Sequence, residues 1–249
     1  FEVTKFYGID NNKKVLYFQS NEKSPLQKHI YSININGSNK KLLSKYNGVN
    51  NAVFSNSFDY FINTNSKANK PNYITLNNKK GKLIRIIKDS EKLQKTLSEY
   101  NLSKKEFFSF ETNYKVSLNG WIIKPPNFDS SKKHPVLMYV YGGPGNQQVL
   151  DSWGGRNYLW YQYLAQQGLV IVCVDNRGTG GRGADFKKCT YQELGKLETE
   201  DQIAANKYLA SLDYIDQNKI GIWGWSYGGY MSSLCLLKGS DVFNFAIAV

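Results

Sequence analysis

Histidine is almost missing from this chain of 249 residues: His29 and His134 are the whole supply. Cysteine is scarce too, and Cys173, Cys189 and Cys235 form no CxxC pair and lie far in sequence from both histidines. A structural zinc site needs four such ligands at short spacings, so the chain is expected to hold no metal. Cys173, inside LVIVCV, and Cys235, inside an apolar helical stretch, read as small core residues. No apolar run approaches the roughly 18 residues of a membrane helix, and no charged leader with a short apolar stretch opens the chain. The first residue is Phe1 and the only methionines are Met138 and Met231, so the sequence is expected to be a piece of a longer protein.

Arginine is nearly absent from one half. Residues 1–130 carry 21 Lys and Arg against 10 Asp and Glu, with Arg85 the lone arginine, whereas residues 131–249 carry 11 against 10. All but one unit of the net charge of +12 therefore belongs to the first half, where lysines are scattered among asparagines in turn-like stretches such as NNKK and NKKGK. A nucleic-acid face calls for arginines interleaved with aromatics. Solvated turn lysines are the plainer reading, and no nucleic-acid partner is expected. With 41% hydrophobic and 14% aromatic residues, the chain has enough apolar surface to fold around a core.

What is present falls into two textures. Up to about residue 88, short alternating runs (KVLYFQS, HIYSINI, AVFSNSFDYFINT, NYITL, KLIRIIK) alternate with Asn, Gly, Lys and Pro turns, the pattern of antiparallel strands at hairpin spacing. They recur with a period of roughly 40 to 45 residues, the size of one β-propeller blade, and about two such units are present. Residues 89–100 read as a short connecting helix with Leu93, Leu97 and Tyr100 on one face. Beyond the hairpins that follow, from His134 on, the strands become continuous apolar runs, VLMYV, LVIVCV and KIGIWG, with helical stretches between them. That alternation predicts a parallel sheet with helical crossovers. The fold expected is thus α/β: a partial α/β-hydrolase domain over residues 101–249, preceded by the last blades of a β-propeller and a connector over residues 1–100. Thr199 and Gln202 are spaced as a capping box, which starts the middle helix at TEDQ.

Gly224-Trp225-Ser226-Tyr227-Gly228 is G-x-S-x-G, directly after the strand KIGIWG and directly before a helix. A serine on such a turn is thrust out of a strained backbone, and glycines two residues to either side let the chains pass closely. Ser226 is the candidate nucleophile, and the Tyr227 N–H, at the helix start, is a candidate oxyanion donor. Tyr141, opening YGGPG after the strand VLMYV, stands where hydrolases of this architecture place the other oxyanion donor, and its hydroxyl is competent to donate. The plainer alternative is a turn whose tyrosine only packs.

A rival motif lies between them. Gly178, Gly180 and Gly183 in GTGGRG have the G-x-G-x-x-G spacing of a dinucleotide site, with Glu198 twenty residues beyond Gly178 where a ribose-binding acid would stand. Against it, the acid should end a second strand and instead falls beside a helix start, and the glycines begin only after Asp175-Asn176-Arg177.

With YGGPG, DNRGTGGRG and GWSYGGY in this order and spacing, residues 107–249 resemble the prolyl oligopeptidase superfamily of serine peptidases, in particular its dipeptidyl peptidase IV branch and the bacterial members of that branch. Residues 1–88 are then similar to the last propeller blades of that family. The resemblance implies an exopeptidase that releases N-terminal dipeptides with Pro or Ala second. It implies Ser226 as nucleophile, the Tyr227 N–H and the Tyr141 hydroxyl as the oxyanion hole, and the Tyr227 ring as part of the pocket for the second residue. It makes DNRGTGGRG a structural loop, calls for no cofactor, and implies a homodimer at full length in the periplasm or otherwise membrane-associated outside the cytoplasm. Acylaminoacyl peptidase or prolyl endopeptidase activity stays open within the superfamily, and a non-catalytic binding module stays open outside it.

In α/β-hydrolases the triad order is Ser, then Asp or Glu, then His. FNFAIAV reads as the next strand after the serine helix, so both partners of Ser226 are expected beyond Val249, and the 249 residues alone are expected to be inactive. His134 falls before VLMYV, at the wrong end of the sheet, and Asp175, Asp213 and Asp216 all precede the serine.

Overall fold

The computed structural model describes all 249 residues, in two compact units: Phe1–Tyr100 with Leu150–Gly155, and Asn101–Val149 with Arg156–Val249. The six residues 150–155 are the departure from a simple cut at residue 100. They attach to the first unit through the Asp151 carboxylate, which accepts the Ala68 N–H at 2.9 Å, and through the Trp153 N–H, which donates to the Ser66 hydroxyl at 2.8 Å.

The first unit is two four-stranded antiparallel sheets in simple meander order. One holds β1 (Val3–Asp10), β2 (Val15–Ser20), β3 (His29–Asn34) and β4 (Lys41–Leu42); the other holds β5 (Val49–Phe54), β6 (Tyr60–Lys67), β7 (Lys70–Asn78) and β8 (Leu83–Lys88). These are the two blades expected from the repeat. Alternate residues point to opposite faces of a strand, so Tyr17 and Ile30 from the first sheet meet Ala52 and Phe61 from the second in a shared core with Leu43. Tyr17 stacks on Phe58 at 5.0 Å between centroids. The helix α1 (Glu91–Ser98) forms as expected; Leu93 is 43% and Tyr100 61% exposed, and no residue of α1 is buried.

The second unit is built on one six-stranded sheet: β9 (Lys105–Glu111), β10 (Ser117–Ile123), β11 (His134–Tyr139), β12 (Val170–Asp175), β13 (Ile215–Gly224) and β14 (Phe245–Ala248), in the order β14-β13-β11-β12-β10-β9. The four strands from β14 to β12 are parallel, and β10 and β9 extend the sheet antiparallel. Helices α2 (Arg156–Gln166), α3 (Ala184–Lys188), α4 (Lys196–Ala210) and α5 (Tyr227–Lys238) fall between the parallel strands.

On one face, Val136, Met138, Val172, Val174, Ile220 and Ile222 pack with Ala205 and Leu209 of α4 and Met231 and Cys235 of α5. Each such aliphatic side chain contributes about 1.5–3 kcal/mol by leaving water. On the other face, Trp121, Tyr139 and Trp223 meet Tyr161 of α2. Cys173 and Cys235 are buried free thiols, as the sequence suggested, and Cys189 is free and exposed.

The start of α4 differs from expectation. The helix begins at Lys196, after Gly195 at φ 87°, and the one side-chain cap is the Glu198 carboxylate accepting the Gly195 N–H at 3.0 Å. Thr199 lies inside the first turn, its hydroxyl donating to the Gly195 carbonyl at 2.6 Å. Only glycine adopts that left-handed turn cheaply, and it moves the boundary upstream.

Candidate active site

The chain leaves β11 to place β12 on one side of it, then crosses back to place β13 on the other side, from which β14 continues outward. The two directions diverge between β11 and β13, and a crevice opens at the carboxyl ends of strands at such a switch point. Tyr141 follows β11 and Ser226 follows β13. These strands are direct neighbours, with Tyr139 opposite Trp223 and the Val140 N–H donating to the Trp223 carbonyl at 2.9 Å.

Ser226 occupies φ 59°, ψ −118° as the residue capping α5. A non-glycine residue held there stores on the order of 1–3 kcal/mol, which the surrounding backbone must offset. Its N–H donates to the Val249 carbonyl at 2.7 Å, and its carbonyl accepts from Gly229 at 2.9 Å. The glycines are required by packing. A Cβ on Gly224 or on Gly228 would land on the Val140 carbonyl oxygen, and one on Gly229 would stand 2.6 Å from the Val249 oxygen. Ser226 is consequently exposed at the mouth of the switch point.

Tyr141 and Tyr227 are both half-buried, with ring centroids 6.1 Å apart. Gly143 sits between them: a Cβ there would come 2.7 Å from Tyr141 Cε1 and 3.1 Å from Tyr227 Cγ. The Tyr141 hydroxyl, the Tyr227 N–H and the Ser226 hydroxyl make no hydrogen bond within the chain. An exposed serine hydroxyl therefore lies at a helix N-terminus beside two unspent donors, an arrangement able to receive a carbonyl and stabilise negative charge on its oxygen.

DNRGTGGRG braces this site. The Asn176 side-chain amide donates to the Gly142 carbonyl at 3.0 Å, and the Gly145 N–H donates to the Gly178 carbonyl at 2.8 Å. The five-residue α3 that follows is too short for a nucleotide crossover helix, and the Glu198 carboxylate is spent on Gly195 and on the Tyr227 hydroxyl. The dinucleotide reading has no place here. Asp175 is no triad orienter either, since its two carboxylate oxygens accept the N–H groups of Gln148 at 2.9 Å and Val149 at 2.8 Å. Arg177 and Asp201 form a fork pair at 2.7–3.0 Å, Asp201 being fully buried, and the carboxylate holds the guanidinium firmly protonated.

Neither histidine reaches the serine. His134 is the first residue of β11, at the end of the sheet opposite Ser226, with Nε2 on the Asp129 carbonyl at 3.0 Å. His29 belongs to the first unit, where Ser44 and Gln27 occupy its ring nitrogens at 3.1 Å each.

Glu198, Asp201 and Gln202, none of them expected at the site, hold it from α4. They reach Tyr227 at 2.9 Å, Arg177 at 2.7 Å and Asn176 at 3.0 Å respectively. The sequence carried one signal for them. They sit on the stripe continued by Ala205 and Leu209, where the helical period calls for apolar side chains.

Residues 157–249 match the model of the prolyl oligopeptidase family, and residues 1–72 match that of the dipeptidyl peptidase IV N-terminal region. The chain is 35% identical over 256 residues to a probable dipeptidyl peptidase 4 of Arthroderma benhamiae, covering 100% of this chain and 32% of that protein. It is 33% identical over 252 residues to dipeptidyl peptidase 8 of Homo sapiens, covering 96% and 28%. The crystal structure of Porphyromonas gingivalis dipeptidyl peptidase 4 superposes with a TM-score of 0.94 at 44% identity, over 99% of this chain and 35% of that one. A putative dipeptidyl aminopeptidase IV of Bacteroides ovatus superposes with a TM-score of 0.85 at 28% identity, again over 99% and 35%. The chain spans about a third of the length of the relatives it matches.

Proposed function

Since the chain belongs to the dipeptidyl peptidase IV branch of the prolyl oligopeptidase family, we propose that it carries the nucleophile of a serine exopeptidase that releases N-terminal X-Pro and X-Ala dipeptides. The observation that carries this reading is the exposed Ser226 at φ 59°, ψ −118°, on the strand-to-helix junction beside the unspent Tyr227 N–H and Tyr141 hydroxyl. In this reading the serine oxygen attacks the carbonyl of the second residue. The Tyr227 N–H and Tyr141 hydroxyl take up the charge that develops on the carbonyl oxygen, and the Tyr227 ring walls the pocket for the second side chain. The serine proton passes to a histidine supplied by a later segment of the protein, because both histidines of this chain are engaged elsewhere. Homodimerisation and a location outside the cytoplasm belong to the same proposal, supported by the family resemblance alone.

The test uses the protein that carries this chain, with Gly-Pro and Gly-Ala chromogenic reporters, an N-blocked reporter and a serine-reactive phosphonate. Dipeptide release, phosphonate labelling at Ser226, and a fall in turnover on the order of 10⁶ in Ser226→Ala are expected. Cleavage of the N-blocked reporter alone would move the assignment to acylaminoacyl or endopeptidase activity. A folded protein silent toward every probe would leave a binding module. The 249 residues by themselves are expected to turn over none of the reporters.

A further inference from the structure

Glu198 faces no cation. It is fully buried, Oε2 accepts the Gly195 N–H at 3.0 Å, and Oε1 accepts the Tyr227 hydroxyl at 2.9 Å. A glutamate that only caps a helix can leave its second oxygen in water. Here that oxygen is spent on the residue next to the candidate nucleophile, 29 positions along the chain. Burying a carboxylate on two neutral donors is costly, and helix capping does not require it. The surroundings fix the pair further. The Tyr230 hydroxyl donates to the Leu194 carbonyl at 3.3 Å, its ring lies 5.3 Å from that of Tyr227, and a Cβ on Gly195 would land on the Tyr230 hydroxyl. The turn that starts α4 is thereby locked onto the first turn of α5.

We propose that Glu198 is a positioning residue that pins the Tyr227 ring by its hydroxyl, so that the ring offers an apolar face to the substrate's second residue and favours proline there. The proposal rests on the dipeptidyl peptidase reading. A phenol drawn toward α4 keeps its polar end out of the pocket. Burial together with the carboxylate pushes the Tyr227 pKa up, so the hydroxyl stays a donor to Glu198. A proline ring has no polar group to satisfy a free phenol, and a phenol that swung into the pocket would lose its partner there. Gly143, packed between Tyr227 and Tyr141, transmits any loss of ring position to the second oxyanion donor.

The experiment measures kcat/KM on Gly-Pro and Gly-Ala reporters for the unaltered protein, Glu198→Ala, Tyr227→Phe and the double variant, with thermal melts to establish folding. Each single variant is expected to lower the Pro-to-Ala ratio roughly tenfold, the worth of one hydrogen bond to a charged group. The double variant should lower it no further, since both substitutions break the same bond. Folded variants whose ratio stays within about twofold of the unaltered protein would overturn the proposal even if both rates fell together, because a purely structural loss moves both reporters alike. Where Glu198→Ala fails to fold, Tyr227→Phe decides by the same ratio. Silence of the unaltered protein toward both reporters overturns the peptidase reading and this proposal with it, whereas an active protein with an unmoved ratio overturns Glu198 alone.

Discussion

The two units bury polar groups in different places and to different ends. In the first, they lie among strands and turns. The Asn50 amide donates to the carbonyls of Lys28 and Tyr46, and its oxygen accepts from Asn63 and Asn65 at 3.1 Å each. Such a network replaces hydrocarbon where the core is small, and it fixes the strands. In the second unit the hydrocarbon core is continuous, and all the buried acids and amides except Gln162 and Asn206 gather at the carboxyl ends of the strands, as Asp175, Asn176, Glu198, Asp201 and Gln202. They satisfy the loops that frame Ser226 while the serine and two donors stay free. Polar burial is spread for architecture in one unit and concentrated for a site in the other.

Glycine substitution should break this contrast most sharply. Gly228→Ala gains helix propensity, worth up to about 1 kcal/mol, but places a Cβ on the Val140 carbonyl and 3.2 Å from Tyr141 Cα. Backbone cannot yield as a side chain does, so the clash wins, with an expected loss of about 3 kcal/mol in denaturant unfolding. Gly37, at a hairpin tip of the first unit, has φ 85° and nothing within 4 Å, so Gly37→Ala should cost only about 1 kcal/mol of backbone strain. Equal losses would show that the serine junction is no tighter than an ordinary turn.

An effect of similar size is expected from charge. Asp201→Asn leaves Arg177 inside with its pairing cut, a loss of about 3 kcal/mol, and Arg177→Met with Asp201→Leu should recover most of it. Asp59→Asn in the first unit, where Lys13 and Lys79 reach an exposed carboxylate, should barely move the melting temperature. Should the exposed site prove as sensitive as the buried one, the idea that the second unit concentrates its electrostatics at the site would fall.

The same contrast explains what could be read in advance. The blades were legible because alternation and turn residues are local signals, and Ser226 because a strand, a glycine pair and a helix start surround it within a few residues. The braces were not. Glu198 meets Tyr227 across 29 residues, Asp175 meets Val149 across 26, and nothing near either acid in sequence marks its partner. The start of α4 was misplaced for a local reason, since Thr199 and Gln202 mimic a capping box while Gly195, in a left-handed turn, takes the cap position and Glu198 accepts its N–H. The exposed face of α1 shows the converse: periodicity predicts a helix without saying what, if anything, it packs against.

The smallest expected effect concerns His29, the one histidine inside a core. It is 1% exposed; with Gln27 presenting its oxygen, Nε2 carries the proton, and Nδ1 accepts from the Ser44 hydroxyl, which itself accepts the Ile30 N–H at 3.0 Å. A second proton on Nδ1 would force the Ser44 hydroxyl to turn its own proton away and accept from the ring as well as from Ile30. Burial first, and the nearby Lys23 second, lower the His29 pKa below its usual value. The unfolded chain therefore binds a proton near pH 6.5 while the folded one still resists, so this contribution to stability is complete above about pH 6.5 and is lost as pH falls toward the folded pKa. Thermal melts from pH 8 to pH 5 should show the native chain losing stability faster below pH 6.5 than His29→Gln, whose amide keeps a donor and an acceptor without titrating. The carboxylates common to both proteins cancel in the difference. Parallel curves would mean that the ring opens to water before it protonates, and that the buried polar groups of the first unit are held less tightly than those around the serine.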